Sequence, residues 1–296
     1  MIKVQITGGL GNQMFQYAVA RNLALKNKTK VVVDTISLQH DIKLSKQYSF
    51  RDYKLDVYKI KASKSYLSNY LNVIYIRNIV YLFQTILNKI GVYLLDNHFV
   101  KEKGPFAFDS TILEKNSSLY LIGYFQTEKY FTDIRNIILD DFSLIKPLSS
   151  KAREWEEKIK NSPISISIHI RRGDYVDSDY HALQNLDYYD NAIEIIKKQT
   201  GNGVFLFVFS DDIAWVKQNI KTKDTIFFVS SPQIKDFEEM YLISICKHNI
   251  IANSSFSWWG AWLNKNSNKV IVAPKKWVVD PSVDTKDICP SSWVRI

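Results

Sequence analysis

The second half of the chain alternates short apolar segments with helical ones, and this rhythm restricts the possible folds more than any other feature. Five segments have the length and apolar content of strands: 164–170, 204–209, 226–229, 249–252 and 269–273. Helical stretches lie between them, near 187–199, 212–219, 236–246 and 256–264. Alternation of this kind predicts a parallel, doubly wound α/β sheet.

The N-terminal half opens with a strand, a glycine-rich loop and a helix. The strand is expected over 2–7, the loop over 8–12 and the helix over 13–26. Further strands are predicted at 31–33 and 119–125. This half is therefore expected to form a second Rossmann-like unit.

A change of composition near 145–150, where Pro147 is followed by two serines, predicts a domain boundary. We expect one domain of residues 1–150 and another of residues 151–296, with the ligand bound between them. Polar residues interrupt the most hydrophobic stretch, 66–95, too often for a membrane-spanning helix. That stretch predicts a helix in the core or, as the less favoured alternative, one lying on a membrane surface.

The net charge and the number of cysteines limit the classes of protein to which the chain can belong. The net charge of +9 suits an anionic ligand, an acidic membrane surface or nucleic acid, and does not choose among them. Cys246 and Cys289 are the only cysteines, so neither a disulfide framework nor a zinc cluster is supported. The N-terminus has no signal-peptide layout. These features predict a cytoplasmic protein, with peripheral attachment at the inner face of the plasma membrane left open.

A charged cluster stands where the strand at 164–170 is predicted to end. It consists of Arg171, Arg172, Gly173 and Asp174. In open α/β sheets the ligand lies beyond the carboxyl ends of the strands, and two guanidinium groups there would suit phosphate. The alternative is an ion pair between Arg172 and Asp174 on the surface, which contributes little to stability.

Ser210, Asp211 and Asp212 follow the strand predicted at 204–209. A carboxylate at this place could accept hydrogen bonds from a nucleotide base or from ribose hydroxyls. Ser and Asp also favour helix N-caps, and on physical grounds alone that interpretation is the stronger one. A metal site has little support, because no third carboxylate or histidine is close in sequence.

Asn253, Ser254 and Ser255 follow the strand predicted at 249–252 and precede a helix. Small hydroxyl residues at a helix N-terminus combine N–H donors with the positive end of the helix dipole, which suits phosphate. Three tryptophans in the same helix are expected to anchor it in the core.

The N-terminal glycine-rich loop partly matches a dinucleotide-binding fingerprint. Gly9 and Gly11 have the spacing of its first two glycines, and Asp34 lies at a suitable distance for a ribose contact. The third glycine would fall at Met14, which weakens the match. An NAD(P)-dependent oxidoreductase is therefore the runner-up enzyme class. A nucleic-acid-binding module is a third interpretation, resting on the charge alone, since no recognised motif of that kind is present.

Six segments together resemble the family 11 glycosyltransferases, the bacterial α-1,2-fucosyltransferases. They are GGLGNQMFQYA (8–18), LIGYFQTEKYF (121–131), SIHIRRGDY (167–175), LDYYDNAI (186–193), FVFSDD (207–212) and IIANSSFSWWGAWL (250–263). These segments occur in the family's order over most of the chain, and their combined specificity is high.

The resemblance implies a GT-B-like α/β fold, with two Rossmann-type domains facing each other across a cleft. The N-terminal domain would bind the acceptor and the C-terminal domain the donor, GDP-β-L-fucose. Fucose would be transferred with inversion to O-2 of a terminal β-galactose, on an O-antigen, a capsule or a lipid-linked precursor. The resemblance implies neither a metal ion nor a cofactor, and no nucleic-acid partner.

The resemblance also implies roles for individual residues. Arg171 would bind the β-phosphate of the donor, and His169 and Asp211 would lie against its guanine or ribose. Ser254 and Ser255 would bind phosphate. The remaining residues expected near the donor are Gly9, Gly11, Asn12, Gln13, Arg172, Asp212 and Asn253, with Asn12 reaching the diphosphate or sugar from the other domain.

His181 is the expected catalytic base, because the ordinary pKa of imidazole suits base catalysis near neutral pH. The family's usual His-Gly pair is His181-Ala182 in this chain. Asp174 and Glu128 are the alternative bases, and Asp174 could instead only orient Arg171. Arg171 counts as catalytic, because a metal-free reaction needs donors that stabilise the charge growing on the leaving GDP.

Overall fold

The computed structural model describes residues 1–39, 52–65, 99–104 and 106–296. They form two units. The first consists of Met1–Ile145 with Lys286–Ile288, and the second of Lys146–Thr285 with Cys289–Ile296. The helix expected over 66–95 lies outside the described residues.

The first unit contains a parallel sheet. Its described strands are β1 (Ile2–Gln5), β2 (Val31–Asp34), β3 (Ala62–Lys64), β4 (Phe99–Lys101) and β5 (Leu119–Ile122), in the spatial order β3-β2-β1-β5-β4. The described helices are α1 (Leu10–Lys26), α2 (Ile36–Gln39) and α3 (Arg135–Asp141). Helix α1 connects β1 to β2 and buries most of its length, as a crossover helix in a parallel sheet does.

The second unit also contains a parallel sheet. Its described strands are β6 (Ser165–Ile170), β7 (Phe205–Ser210), β8 (Thr225–Phe228), β9 (His248–Ile250), β10 (Ile271–Ala273) and β11 (Val294–Arg295), in the order β11-β10-β9-β6-β7-β8. The described helices are α4 (Ser150–Lys160), α5 (Leu186–Thr200), α6 (Ile213–Asn219), α7 (Asp236–Ile245) and α8 (Ser255–Trp262). The strand order reverses between β6 and β9, which is where open α/β sheets bind ligands.

The two faces of the second sheet have separate cores. Ile166, Ile168 and Ile170 of β6 pack with residues of α5 on one face. Phe207 and Phe209 of β7 pack on the other face with residues of α4 and α7. Strand β6 is buried along its whole length. The direction in which its last residue leaves the sheet is therefore set by packing on both sides.

The predicted α/β fold is confirmed, with the two parallel units of the GT-B type. The expectation for the N-terminal loop was wrong in one respect: α1 begins at Leu10, so Gly11 and Asn12 lie in its first turn. Gly9 is the N-cap and its carbonyl accepts the N–H of Gln13. No helix in the described ranges is long and apolar enough to cross a membrane.

Candidate functional site

The strand ends that the sequence singled out in the second half lie side by side. Strand β6 lies between β7 and β9, with Ile170 opposite Ser210 and Ile168 opposite Ile250. All three strands run in the same direction, so the loops that follow them begin at one edge of the sheet. The structure thus brings together three loops: residues 171–174 (the arginine loop), residues 210–212 (the aspartate loop) and residues 253–255 (the serine loop).

Arg171 is held by two carboxylates. Its Nη2 atom lies 2.6 Å from Oδ1 of Asp174, and its Nη1 atom lies 3.0 Å from Oδ2 of Asp211. Burial lowers the pKa of Arg171, but the two carboxylates outweigh this effect and raise it, so the guanidinium stays charged. Gly173 is required beside them, because a Cβ there would overlap Oδ2 of Asp211. Arg171 is therefore fixed by two carboxylates at the end of a buried strand.

Arg172 points to a different set of partners. Its Nε atom lies 3.4 Å from Oδ2 of Asp212, and its guanidinium lies 3.6 Å from the centre of the Trp215 ring. The alternative interpretation, an Arg172–Asp174 ion pair, is wrong, because Asp174 pairs with Arg171 instead. Asp212 accepts the N–H of Trp215 at 3.1 Å and caps α6, which confirms the N-cap interpretation. Through these contacts the side chains of Arg172 and Asp212 are both held at the start of α6.

Asp211 uses both carboxylate oxygens inside the protein. Oδ2 accepts from Arg171, and Oδ1 accepts the backbone N–H of Arg172 at 2.9 Å. This occupancy favours a role in positioning the two arginines over the expected contact with guanine or ribose.

His169 lies in β6 and is only 5% exposed. Burial, assisted by the charge of Arg171, lowers its pKa to about 3, so the imidazole is neutral. Its Nδ1 atom is buried and has no hydrogen-bond partner among the described residues. The ring lies 5.5 Å from that of Phe256 in the first turn of α8.

Helix α8 begins with the two predicted serines. Ser254 is its N-cap, and its hydroxyl accepts the N–H of Phe256 at 3.3 Å. The hydroxyl of Ser255 makes no hydrogen bond to any residue that the structure describes, and remains available. The tryptophans of this helix are buried, which confirms their core role; they are Trp258, Trp259 and Trp262.

Asn253 corrects an expectation, because its side chain is not available to a donor substrate. It is 2% exposed, and its Nδ2 donates to the carbonyl of Trp277 at 2.7 Å. Its Oδ1 accepts from Gln184, and its carbonyl accepts from the hydroxyl of Tyr175. Asn253 therefore ties the serine loop to the arginine loop and to the segment around Trp277.

His181 stacks on Tyr175, with ring centres 4.1 Å apart and an interplanar angle of 1°. Its backbone bridges to Val278. Burial lowers the pKa of His181; Asp174 raises it and Arg171 lowers it further. Its Nδ1 atom is buried without a partner in the described part of the chain. The lowered pKa favours the neutral ring, which can accept a proton.

Gln13, in the first unit, also departs from expectation. Its side chain is fully buried, donates to the carbonyls of Gly8 and Asp52, and accepts the N–H of Lys54. All of its amide hydrogens are used, so it closes the loop and is not free to bind a donor. Asn12 differs, because its Oδ1 accepts from Gln126 at 2.7 Å while its Nδ2 has no partner among the described residues.

The glycines of that loop differ in their constraints. Gly8 has a φ of +75°, and a Cβ there would lie 2.5 Å from Nδ2 of Asn12. Gly9 has open space around it, and Gly11 is buried in the first turn of α1. Gly8 is thus the glycine of this loop with a left-handed backbone conformation. The dinucleotide-binding fingerprint used Gly9 and Gly11 and did not include it.

The residues behind the oxidoreductase interpretation serve the first unit's own structure. Asp34 is buried, pairs with Lys3 at 3.2 Å and accepts from the hydroxyl of Tyr120 at 2.9 Å. Glu128, the alternative base, belongs to the same unit and lies 3.9 Å from Nη1 of Arg135. No cluster of three or more His, Cys, Asp or Glu side chains in the described ranges could hold a metal ion.

Two residues were not foreseen, one in each unit. The ring of Tyr175 stacks on His181, and its hydroxyl donates a hydrogen bond to the carbonyl of Asn253. Its position directly after Arg-Arg-Gly-Asp was a signal that could have indicated this role. Glu102 accepts the N–H groups of Tyr124 and Phe125 and so shapes the loop that carries Gln126. Nothing in the sequence around Glu102 marked it.

Comparison with known proteins identifies the family of the chain. A family model described as Glycosyl transferase family 11 matches residues 1–296. The alpha-1,2-colitosyltransferase of Escherichia coli is 33% identical, covering 100% of this chain and 99% of the relative. The O-antigen biosynthesis glycosyltransferase WbnK of Escherichia coli is 30% identical, covering 98% of this chain and 99% of the relative. A mutant of Arabidopsis thaliana FUT1 in complex with GDP shares the fold, with a TM-score of 0.52 at 12% identity over 98% of this chain and 74% of that one. The chain therefore belongs to glycosyl transferase family 11.

Proposed function

We propose that the protein is an inverting α-1,2-fucosyltransferase. It transfers L-fucose from GDP-β-L-fucose to O-2 of a terminal β-galactose on a bacterial surface glycan or its lipid-linked precursor, without a metal ion or cofactor. The observation that carries the proposal is Arg171, fixed at the carboxyl end of a buried strand in a family 11 chain. The α-1,2 linkage in the name of the colitosyltransferase relative supports attack by O-2.

Arg171 stabilises the leaving group in this proposal. Cleavage of the bond between fucose C1 and GDP builds negative charge on the β-phosphate. A guanidinium has five N–H donors, and Asp174 and Asp211 each contact one terminal nitrogen, so donors remain for phosphate. Because Arg171 is already oriented, it does not have to reorganise as the charge develops.

The N-terminus of α8 supports a second phosphate contact. The hydroxyl of Ser255 has no hydrogen-bond partner among the described residues, and the first-turn N–H groups of α8 carry the positive end of the helix dipole. Ser254 is engaged as the cap but keeps its own hydroxyl hydrogen for a ligand. In the first unit, Asn12 is the residue we assign to donor binding, through its Nδ2, for which the described part of the chain provides no partner.

His181 is the proposed base. The acceptor hydroxyl attacks C1 from the face opposite GDP and gives its proton to Nε2 of the neutral imidazole. The lowered pKa of His181 favours the neutral imidazole at neutral pH. Asp174 and Glu128 remain the alternatives, and each is paired with an arginine: Asp174 lies 2.6 Å from Arg171, and Glu128 lies 3.9 Å from Arg135.

An exposed apolar patch beside His181 supports an acceptor position in the second unit. Val176, Tyr180, Leu183 and Val279 are 42–48% exposed, and the N–H of Val279 donates to the carbonyl of Tyr180 at 2.8 Å. Sugar rings have apolar C–H faces that pack well on such side chains. We therefore propose that this patch of the second unit also contacts the acceptor glycan, which the sequence analysis expected on the N-terminal domain alone.

The test is a transfer assay with the full chain. GDP-L-fucose is incubated with a panel of β-galactosides, and the product linkage is assigned by NMR. We expect an α-1,2-fucosyl galactoside, and none with the Arg171→Ala variant. GDP-colitose, which lacks the 3-hydroxyl of fucose, serves as the competing donor. No transfer from GDP-fucose, or a linkage to another hydroxyl, would refute the proposal.

A further inference from the structure

The first sheet has its own point at which the strand order reverses. From β1 the described strands continue to β2 and β3 on one side, and to β5 and β4 on the other. In open α/β sheets the crevice beyond such a point binds ligands. Two loops start there: residues 6–9, which follow β1 and lead into α1, and residues 123–127, the β5 loop. The first unit therefore has a candidate binding position of its own.

The β5 loop is held in one shape from two sides. Glu102, which directly follows β4, accepts the N–H groups of Tyr124 at 2.7 Å and Phe125 at 2.9 Å. A Cβ at Gly123 would lie 2.5 Å from Cβ of Glu102, so the close approach requires glycine. On the other side, Nε2 of Gln16 in α1 donates to the carbonyl of Gly123 at 3.0 Å. The loop is thereby attached both to the end of β4 and to α1.

The backbone of Phe125 shows how firmly the β5 loop is held. Its φ of +54° lies in the left-handed region, which a bulky side chain rarely adopts. The ring is fully buried and lies 5.6 Å from that of Tyr130, edge to face. Backbone strain of this kind persists only where the surroundings over-determine it, and it clusters at binding sites. The position of the next residue, Gln126, is therefore set by the fold around it.

Gln126 contacts Asn12, which follows the other loop. Nε2 of Gln126 donates to Oδ1 of Asn12 at 2.7 Å, and both side chains are half-buried. This hydrogen bond decides how the Asn12 amide is turned, because Nδ2 lies on the opposite side of the same planar group from Oδ1. A Cβ at Gly8 would lie 2.5 Å from that Nδ2, so the left-handed glycine leaves room for it. The donor side of Asn12 therefore has a fixed direction.

The two amides keep complementary groups for a ligand. Nδ2 of Asn12 has two hydrogens to donate, and Oε1 of Gln126 accepts no hydrogen bond from any residue that the structure describes. A donor and an acceptor on adjacent side chains match sugar hydroxyls, since each hydroxyl can both donate and accept. Phosphate oxygens that carry no hydrogen can only accept, so they would match Asn12 but not Oε1 of Gln126. The pair is therefore better suited to a sugar than to the diphosphate.

We propose that the Asn12–Gln126 pair binds hydroxyl groups of a sugar, and that Gln126 also sets the direction of the Asn12 amide. Two sugars present this chemistry, the fucosyl group of the donor and the terminal galactose of the acceptor. The inference rests on the proposed function, because it takes both sugars from there. It also refines the role of Asn12, since it separates a sugar contact from a contact with the diphosphate.

The test is calorimetric titration of the full chain with GDP, with GDP-fucose, and with a β-galactoside in the presence of saturating GDP. Gln126→Leu and Asn12→Ala should each weaken binding of one sugar-bearing ligand about threefold to tenfold, and leave GDP affinity within about threefold of wild type. The weakened ligand identifies the sugar. Because Gln126 acts partly through Asn12, the double variant should lose much less than the product of the two single losses. Asn116→Ala, exposed in the same unit, should change no affinity.

Both single variants should unfold within about 4 °C of wild type, because each replaced side chain is half-buried. Unchanged affinity of Gln126→Leu for all three ligands would overturn the inference. An affinity for GDP that falls tenfold or more would overturn it too, because the pair would then contact the diphosphate. Multiplicative losses in the double variant would overturn the orienting role of Gln126. Wild type that shows the expected sugar binding but transfers no fucose would refute the proposed function alone.

Discussion

Replacing Arg171 by lysine keeps a positive charge at the end of β6 but removes the planar group that contacts two carboxylates. In the native site one terminal nitrogen lies 2.6 Å from Asp174 and the other 3.0 Å from Asp211. A single ammonium nitrogen cannot occupy both positions. The substitution therefore separates charge from geometry.

The expected cost falls mainly on turnover. Loss of one preorganised donor to a developing oxyanion costs about 10²–10³ in kcat, or roughly 2.7–4 kcal/mol. Binding of GDP in the ground state should weaken only by about threefold to tenfold, because the charge is retained. The side chain is partly exposed, so the loss of its ion pairs should lower the free energy of unfolding by about 1 kcal/mol at most.

The assay is steady-state transfer from GDP-fucose together with GDP titration. Arg172→Lys is the matched control, because Arg172 is committed to Asp212 and Trp215 and should lose less than about tenfold in kcat. A kcat for Arg171→Lys within a few-fold of wild type would refute the leaving-group role. A larger loss for Arg172→Lys would transfer that role to Arg172.

His181→Ala should lower kcat by about 10²–10⁴ and leave GDP affinity unchanged. Since burial lowers the pKa of His181, wild-type kcat should fall on acidification only below pH 6.5 and stay level above it; a fall beginning above pH 7 would contradict this base. Gly173→Ala should push the Asp211 carboxylate aside and cost about tenfold or more in kcat, whereas Gly104→Ala, in open space, should have no effect in the same assay. Activity should persist in EDTA; complete loss restored by Mg²⁺ or Mn²⁺ would refute metal-free transfer.

The architecture was predictable because apolar periodicity reports burial directly. Strand β6 is buried on both faces, and its isoleucines alternate with small or polar residues, so its end could be located within one residue. The helix α1 was less predictable at its start, because Gly11 and Asn12 have low helix propensity. Packing overrides that propensity in the buried first turn.

The site was only partly predictable, because a polar residue in a loop can either bind a ligand or close the loop. Gln13 and Asn253 do the second, and their partners at Asp52 and Trp277 are distant in sequence. For the same reason the Arg171–Asp211 pair, which joins two strand ends, was not foreseen.

The most direct test of the central claim is ³¹P NMR of GDP titrated with the protein in the presence of EDTA. If Arg171 is the phosphate ligand, wild type should shift the β-phosphate resonance strongly. The Arg171→Lys variant should bind GDP but reduce that shift, with the α-phosphate resonance little changed between the two proteins. A β-phosphate resonance that moves equally in both proteins, or that moves only after Mg²⁺ is added, would contradict the account.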